Sequence, residues 1–395
     1  MSNQSFADLG VSSAVCGALA RRGISAPFAI QRLVLEDVLA ARDVLVKSPT
    51  GSGKTLAFGI PLAERVDPRG STPAALVLAP TRELANQIVA ELRDVASAKA
   101  LRVAAVYGGV ALAAQTSRAS RAHILVATPG RLEDLLERGA LTLQRIRILV
   151  LDEADRMLDM GFRPAIDRIV GACPARRQTL FFSATLDGVA GDLARRYTTR
   201  ALSHEHGEPG RYHTAQVEHR FVPVREEQRV QALVEELSRE RDRALVFVRT
   251  KRGADRLVKR LDAHGLKALA IHANKSQAQR ERALSCFQSG RVDTLVATDV
   301  AARGIDVAGV SHAINFDPPG DHEAYIHRIG RTGRAGNRGV GVTLVGAGQH
   351  HEIRQLARRL GLSHRLGAPA DHAGAHAARR SRGQTARRVS KAPKR

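Results

Sequence analysis

Short apolar, β-rich runs recur along this chain, each followed by a segment with helical spacing of its apolar residues, and that alternation restricts the fold more than any single motif. Strand, helix and strand in succession build a parallel sheet covered by helices, because the crossover must carry the chain back before the next strand can pair. The first series of runs lies near Val44–Lys47, Ala75–Ala79, Val103–Tyr107, Ile124–Ala127, Ile148–Asp152 and Thr179–Ser183. A second series lies near Val217–Val224, Ala244–Val248, Ala268–Ile271, Thr294–Thr298, Val310–Asn315 and Val340–Val345. Between them, around Ser203 to Gly210, the chain turns polar and rich in turn-forming residues, the composition of a connection. The pattern predicts two α/β lobes, residues 1–203 and 215–364, joined by a linker over 204–214. Residues 365–395 have no apolar period and are expected to be a disordered basic tail.

Charge narrows the class of partner. The formal net charge is +22 over 395 residues. Residues 365–395 hold nine Lys and Arg against one acid, Asp371, which leaves +14 on the rest of the chain. Basicity carried by the lobes as well as the tail points to a polyanion. Cys16, Cys173 and Cys286 are far apart and form no Cys-x-x-Cys, so neither a disulfide framework nor a zinc site is suggested. No apolar stretch approaches the roughly twenty residues that cross a bilayer, and Met1–Gly10 lacks the pattern of an export signal. The expected location is the cytoplasm, with no membrane partner.

Two motifs carry chemistry. After the first apolar run comes Thr50-Gly51-Ser52-Gly53-Lys54-Thr55, a glycine-punctuated loop that opens a helix. Backbone N–H groups of such a loop wrap phosphate oxygens, the Lys54 ammonium reaches the β- and γ-phosphates, and the Thr55 hydroxyl is placed to ligate Mg²⁺. After the fifth run comes Asp152-Glu153-Ala154-Asp155, which brings carboxylates to the carboxyl edge of the same sheet. Paired in this order, each behind a strand, they read as a site for a nucleoside triphosphate and its metal.

The second lobe has no phosphate loop of its own, so its contribution must come from what it presents across the cleft. His327-Arg328-Ile329-Gly330-Arg331-Thr332-Gly333-Arg334 spaces arginines three residues apart between glycines. A guanidinium stays charged and grips two phosphate oxygens at once, which suits Arg331 and Arg334 to a transferring phosphoryl group.

With these residues in place the chain resembles the DEAD-box RNA helicases, over nearly everything from Phe6 to about Leu362. Further signatures of that family follow in order: Gln31, Pro80-Thr81-Arg82-Glu83-Leu84-Ala85, Gly108-Gly109, Thr128-Pro129-Gly130-Arg131, Ser183-Ala184-Thr185, Val246-Phe247-Val248 before Thr250, Gln277 with Arg280, and Thr298 to Asp306. The resemblance implies two RecA-like parallel-sheet lobes that close on ATP and single-stranded RNA together. It implies that Glu153 activates the attacking water and Asp152 holds Mg²⁺, with Lys54, Arg331 and Arg334 on the phosphates. It gives Gln31 the adenine edge, with Phe6 stacking upstream, and Asp306 the ribose. Ser183, Thr185 and His327 would couple hydrolysis to duplex opening. For RNA it implies Pro80, Thr81, Arg82, Gly109, Thr128, Gly130 and Arg131 on the first lobe, and Thr250, Gln277, Arg280 and Thr298 on the second. Small hydroxyls, glycines and arginines suit phosphates and 2′-hydroxyls and do not read bases.

This chain departs from the family's pattern at Pro27-Phe28-Ala29-Ile30-Gln31, where Pro-Thr-Pro-Ile-Gln is common, at Ser48, where Ala is usual, and at His272-Ala273-Asn274, where His-Gly is frequent. The expected activity is ATP-dependent local unwinding of short RNA duplexes by a monomer, with structured RNA attracted by the tail. An ATP-gated RNA clamp and a DNA-dependent helicase or remodeller use the same motifs and are the alternatives.

Overall fold

The structure, a computed structural model, describes residues 4–48, 52–186, 188–206, 217–302, 309–333 and 338–362. The tail, the linker from 207 to 214, and the site candidates Thr50, Gly51, Asp306 and Arg334 lie outside the described residues.

In the first lobe the strands are β1 (Val44–Lys47), β2 (Ala75–Leu78), β3 (Val103–Val106), β4 (Ile124–Ala127), β5 (Ile148–Leu151), β6 (Gln178–Ser183) and β7 (Leu202–Glu205). They form one parallel sheet in the order β3-β4-β2-β5-β6-β1-β7. Its helices are α1 (Ser13–Arg21), α2 (Ala29–Leu39), α3 (Lys54–Arg65), α4 (Arg82–Ser97), α5 (Leu112–Ala119), α6 (Pro129–Glu137), α7 (Ala154–Asp159), α8 (Arg163–Ala172) and α9 (Gly188–Tyr197). The central strands β2, β4, β5 and β6 are buried at every residue, which is why they read as unbroken apolar runs. Alternate residues still go to opposite faces. Val44, Val46, Val77, Val126, Val150 and Phe182 pack with α1 to α4, while Leu78, Leu125, Leu149, Leu151 and Phe181 pack beneath α6, α8 and α9. Each such side chain contributes about 1.5–3 kcal/mol through removal from water.

The second lobe repeats the plan with β8 (Val217–Val224), β9 (Arg243–Phe247), β10 (Ala268–Ile271), β11 (Thr294–Ala297), β12 (Val310–Asn315) and β13 (Gly339–Gly346). These form a parallel sheet in the order β10-β11-β9-β12-β13-β8, with apolar clusters on both faces. Every apolar run named above is a strand. No helix among the described residues is long and apolar enough to cross a membrane.

One element corrects the sequence expectation. The connection expected from 204 cuts through β7, which joins the first sheet as its last strand, parallel to β1. Leu202-Ser203-His204-Glu205 carries no apolar run because an edge strand is held by its backbone. Leu202 N donates to Asp43 O at 2.9 Å, His206 N to Lys47 O at 2.9 Å, and Lys47 Nζ pairs with Glu205 at 2.8 Å. The Asp43 carboxylate, itself buried, secures this edge by accepting from Thr179 N at 2.8 Å and Thr199 N at 2.7 Å. Replacing Asp43 by Ala strands two amide donors, so Asp43→Ala should cost about 2–4 kcal/mol of stability in urea unfolding, and Asp43→Asn clearly less. Equal stability of Asp43→Ala and the native chain would show that this carboxylate does not secure the edge.

Candidate active site between the lobes

Sheet order divides the carboxyl edge of each lobe into two territories. In the first lobe β5, β6 and β1 are neighbours, and they deliver Asp152-Glu153, Ser183-Thr185 and the phosphate loop to one place. Neighbours β3, β4 and β2 deliver Gly109, Thr128 to Arg131, and Pro80 to Arg82 to another. The second lobe matches this: β10, β11 and β9 lead to Gln277, Thr298 and Thr250, while β12 leads to His327 and Arg331. The nucleotide candidates and the RNA candidates therefore occupy adjacent strips of one cleft.

In the phosphate loop Gly53 has φ +90°, and an added Cβ would lie 3.0 Å from Gln31 Nε2 and 3.1 Å from the Phe28 ring. Only glycine fits there. Lys54 starts α3 with Thr55 beside it, and its Nζ donates to Ser48 O at 3.0 Å. Ser48, where the family usually has Ala, places its Oγ 2.7 Å from Ser52 Oγ, so the departure ties the two ends of the loop together.

Asp152 and Glu153 are both buried, 3% and 6% exposed, at the end of β5. Two adjacent carboxylates out of water repel each other, and the surroundings resolve them in opposite directions. Burial raises the Asp152 carboxyl to about 7 against the opposing charge of Lys54. Burial also acts on Glu153, but Arg156, Lys54 and Arg331 outweigh it and hold that carboxyl below the ordinary range. Glu153 is thus an anion available as a base. It sits at φ 52°, ψ 50°, a left-handed conformation that costs a non-glycine residue about 1–2 kcal/mol.

Arg156 was not foreseen. Within an acidic–basic run at a helix start its side chain reads as solvated, yet it is 1% exposed. One guanidinium nitrogen donates to Glu153 Oε2 at 2.6 Å, and another lies 2.9 Å from His327 Nδ1 of the second lobe. Arg331 is buried on the same helix-and-turn as His327, with its Nε 3.3 Å from His327 O, close enough for its charge to act on Glu153. Asp155, also unassigned from sequence, accepts from Ala184 N at 3.0 Å, and its own N–H donates to Ser183 Oγ at 3.3 Å. That pair links the acidic motif to Ser183-Ala184-Thr185.

The adenine element brings a correction. Phe6, expected to stack on the base, is 4% exposed and packed in the core among apolar residues of α1 to α3. Phe28, which replaces the family's small Thr, is 58% exposed and lies against Gly53. Gln31 accepts from Phe28 N at 2.9 Å and donates to Gly53 O at 3.0 Å, which fixes the element onto the phosphate loop.

Among the RNA candidates, Thr81 and Thr250 cap helices by accepting from Leu84 N at 3.2 Å and Gly253 N at 2.9 Å. Gly109, at φ +85°, lets Arg82 approach so closely that a Cβ would fall 2.2 Å from its Nη1. Arg131 donates to Val110 O and to Gln115 Oε1, each at 3.0 Å. Thr128 and Thr298 are 8% exposed at the ends of β4 and β11. Gln277 donates to Glu281 Oε1 at 2.9 Å. Arg280, expected on RNA, is instead engaged by protein: its Nη2 lies 2.8 Å from Glu83 of the first lobe, with both side chains buried. The pair meets as an ion pair rather than an aligned hydrogen bond and makes a second bridge across the cleft.

The model of the DEAD/DEAH box helicase family matches residues 28–193, and that of the helicase conserved C-terminal domain matches residues 228–336. A DEAD-box ATP-dependent RNA helicase of Geobacillus kaustophilus is 41% identical over 90% of this chain and 77% of its own length. The chain belongs to the DEAD-box ATP-dependent RNA helicase family. A mitochondrial DEAD-box helicase of Arabidopsis thaliana is 39% identical over 90% of this chain and 60% of its own length.

Among solved structures, this DEAD-box chain matches S. cerevisiae Dbp5 bound to RNA and ADP-BeF3 at TM-score 0.82, 29% identity, over 91% of this chain and 94% of that one. It matches Mss116p bound to single-stranded RNA and AMP-PNP at TM-score 0.83, 27% identity, over 91% and 78%. A Dbp5 variant bound to Nup159, Gle1, IP6 and ADP gives only 0.60, with 89% of this chain covered. The matches to the two RNA-bound structures extend over both lobes of this chain. In this DEAD-box protein the bridges Arg156–His327 and Arg280–Glu83 join the two lobes. Arg156→Ala leaves Glu153 buried with one cation fewer and should destabilise the fold by about 3 kcal/mol in urea unfolding, with Arg156→Lys intermediate. A loss under about 0.5 kcal/mol, the range of an ordinary surface change, would mean that Arg156 is not what balances Glu153.

Proposed function

We propose that this chain is an RNA-dependent ATPase whose two lobes close over ATP and a single RNA strand and locally separate short duplexes. The observation that carries this reading is the position of Glu153, an ionised base flanked by cations from both lobes. Lys54 binds the β- and γ-phosphates, Arg331 and Arg334 meet the γ-phosphate from the second lobe, and Glu153 orients a water for in-line attack and takes its proton. Charge developing on the phosphoryl oxygens is met by the Arg331 guanidinium, which is buried and held at His327 O, so that group need not reorganise at the moment of reaction.

Thr55 and Asp152 suit Mg²⁺. Both offer hard oxygen, and a buried carboxyl raised to about 7 is what a divalent cation would return to its ionised form. No cluster of three or more His, Cys, Asp or Glu side chains able to hold a metal occurs among the described residues, which fits an ion that keeps waters and phosphate oxygens as its other ligands. When bound, Mg²⁺ neutralises phosphate charge.

RNA enters along the neighbouring strip, on Arg82, Gly109, Arg131, Thr250 and Thr298. Closure joins the two strips, so each ligand favours the state the other needs. Loss of the γ-phosphate acts on Ser183 and Thr185 through Asp155, and on His327 through Arg156. Both halves of the cleft come from one chain, which supports a monomer as the active form. Cys16, Cys173 and Cys286 are all free thiols, which fits a reducing cytoplasm.

The test is steady-state ATP turnover with and without single-stranded RNA. The native chain should be strongly stimulated by RNA more than by matched DNA, because the 2′-hydroxyl is the distinguishing group. Glu153→Gln should bind ATP normally and turn over at least about a hundredfold more slowly. Turnover indifferent to RNA would refute the coupling, and an active Glu153→Gln would refute the base.

A further inference from the structure

Strand β3 is the outermost strand of the first sheet, and among the described residues nothing pairs with its far side. Its near side is occupied by β4: Arg102 O accepts from Ile124 N, and Val106 O accepts from Thr128 N at 2.9 Å. By the alternation of a parallel ladder, Val103 and Ala105 turn their peptide groups outward. Helix α4 stands on one side of this edge and α5 on the other, leaving a groove of about 580 Å³. Four arginines line it: Arg93 from α4, Arg102 leading into β3, Arg118 from α5 and Arg121 just after it. All four are exposed, and no Asp or Glu is among the lining residues. A furrow with one sign of charge and no carboxylate of its own concentrates anions.

Its position favours one kind of anion. The groove ends at Tyr107 and Val110, on either side of Gly108-Gly109. Arg131 reaches into that end through its bonds to Val110 O and Gln115 Oε1. Gly109 and Arg131 belong to the strip assigned to RNA above, so the groove prolongs that strip around the sheet edge. The half-buried ring of Tyr107 at the junction offers a face to a base, and the arginines beyond it are spread along the walls as a phosphodiester backbone requires. An acidic peptide would use the free strand edge, but nothing there would tie it to the cleft.

We propose that this groove is an additional RNA subsite, which takes the strand as it leaves Gly109 and so extends the bound length beyond the cleft. The proposal rests on the RNA reading above, and the experiment separates the two. Anisotropy titrations would compare the full-length native chain with Arg93→Glu/Arg118→Glu, using hexauridylate and an oligouridylate of about 20 nucleotides. These exposed side chains lie outside the cleft, so the fold and the turnover saturated with the hexamer should persist. The longer RNA should bind the double variant roughly tenfold more weakly, and its log–log salt slope should fall by about 1.4, or 0.7 for each lost phosphate contact. The hexamer should bind both proteins alike. Since both carry the same tail, the difference reports the groove.

Equal affinity and slope for the longer RNA would overturn the subsite. So would a fluorescent oligoglutamate peptide that binds the native chain and loses binding in the variant while RNA does not, because the partner would then be an acidic protein segment. Failure of the native chain to bind the hexamer at all would instead defeat the RNA reading itself. Should the double variant fold poorly, 4-thiouridine placed beyond the sixth nucleotide decides in the native chain: crosslinks within residues 93–105 or 117–122 support the subsite, and crosslinks confined elsewhere overturn it.

Discussion

A buried negative charge at Glu153 is the constraint around which the rest of this molecule is arranged. Its neighbour Asp152 is also a buried carboxylate, and two such groups at the end of one strand are tolerable only if cations surround them. The first lobe supplies Lys54 and Arg156, and the second supplies Arg331. The cations that balance Glu153 are therefore drawn from both lobes, and the proposed tie between hydrolysis and closure rests on that balance. The buried ion pair Arg280–Glu83 repeats the device on the RNA side of the cleft.

Topology makes the coupling economical. With β5, β6 and β1 adjacent, Glu153, Lys54 and Ser183 are gathered at one sheet edge, and the strip of RNA candidates begins at the very next strand, β2. Among the described residues four non-glycines have positive φ, Ala41, Ala100, Glu153 and Arg200, and Glu153 is the one that lies in the site. Glu153 sits in a left-handed backbone conformation at the start of α7, while the surrounding strands are regular and buried.

Most of this arrangement was legible because apolar periodicity reports burial directly. Runs such as Ala75–Leu78 and Ile148–Leu151 must be strands covered on both faces, and motifs that follow such runs must lie on the sheet's carboxyl edge. What escaped was whatever depends on partners distant in sequence. Leu202–Glu205 is a strand because Asp43 and Lys47 offer it hydrogen bonds, and no local apolar signal records that. Arg156 looks like a surface charge until His327, 171 residues away, closes over it. Arg280 meets Glu83, a carboxylate of the other lobe, and Phe6 is buried in the core while Phe28 is exposed, and neither outcome is recorded in the local sequence.

The central claim is that the second lobe completes the catalytic pocket with fixed positive charge. Arg331→Ala tests it most directly, by single-turnover ATP hydrolysis under saturating RNA alongside nucleotide binding. The account predicts that hydrolysis falls about a thousandfold or more while the affinity for ATP changes little. Hydrolysis within about threefold of the native rate, with nucleotide and RNA both bound, would show that the first lobe alone carries the chemistry and would contradict it.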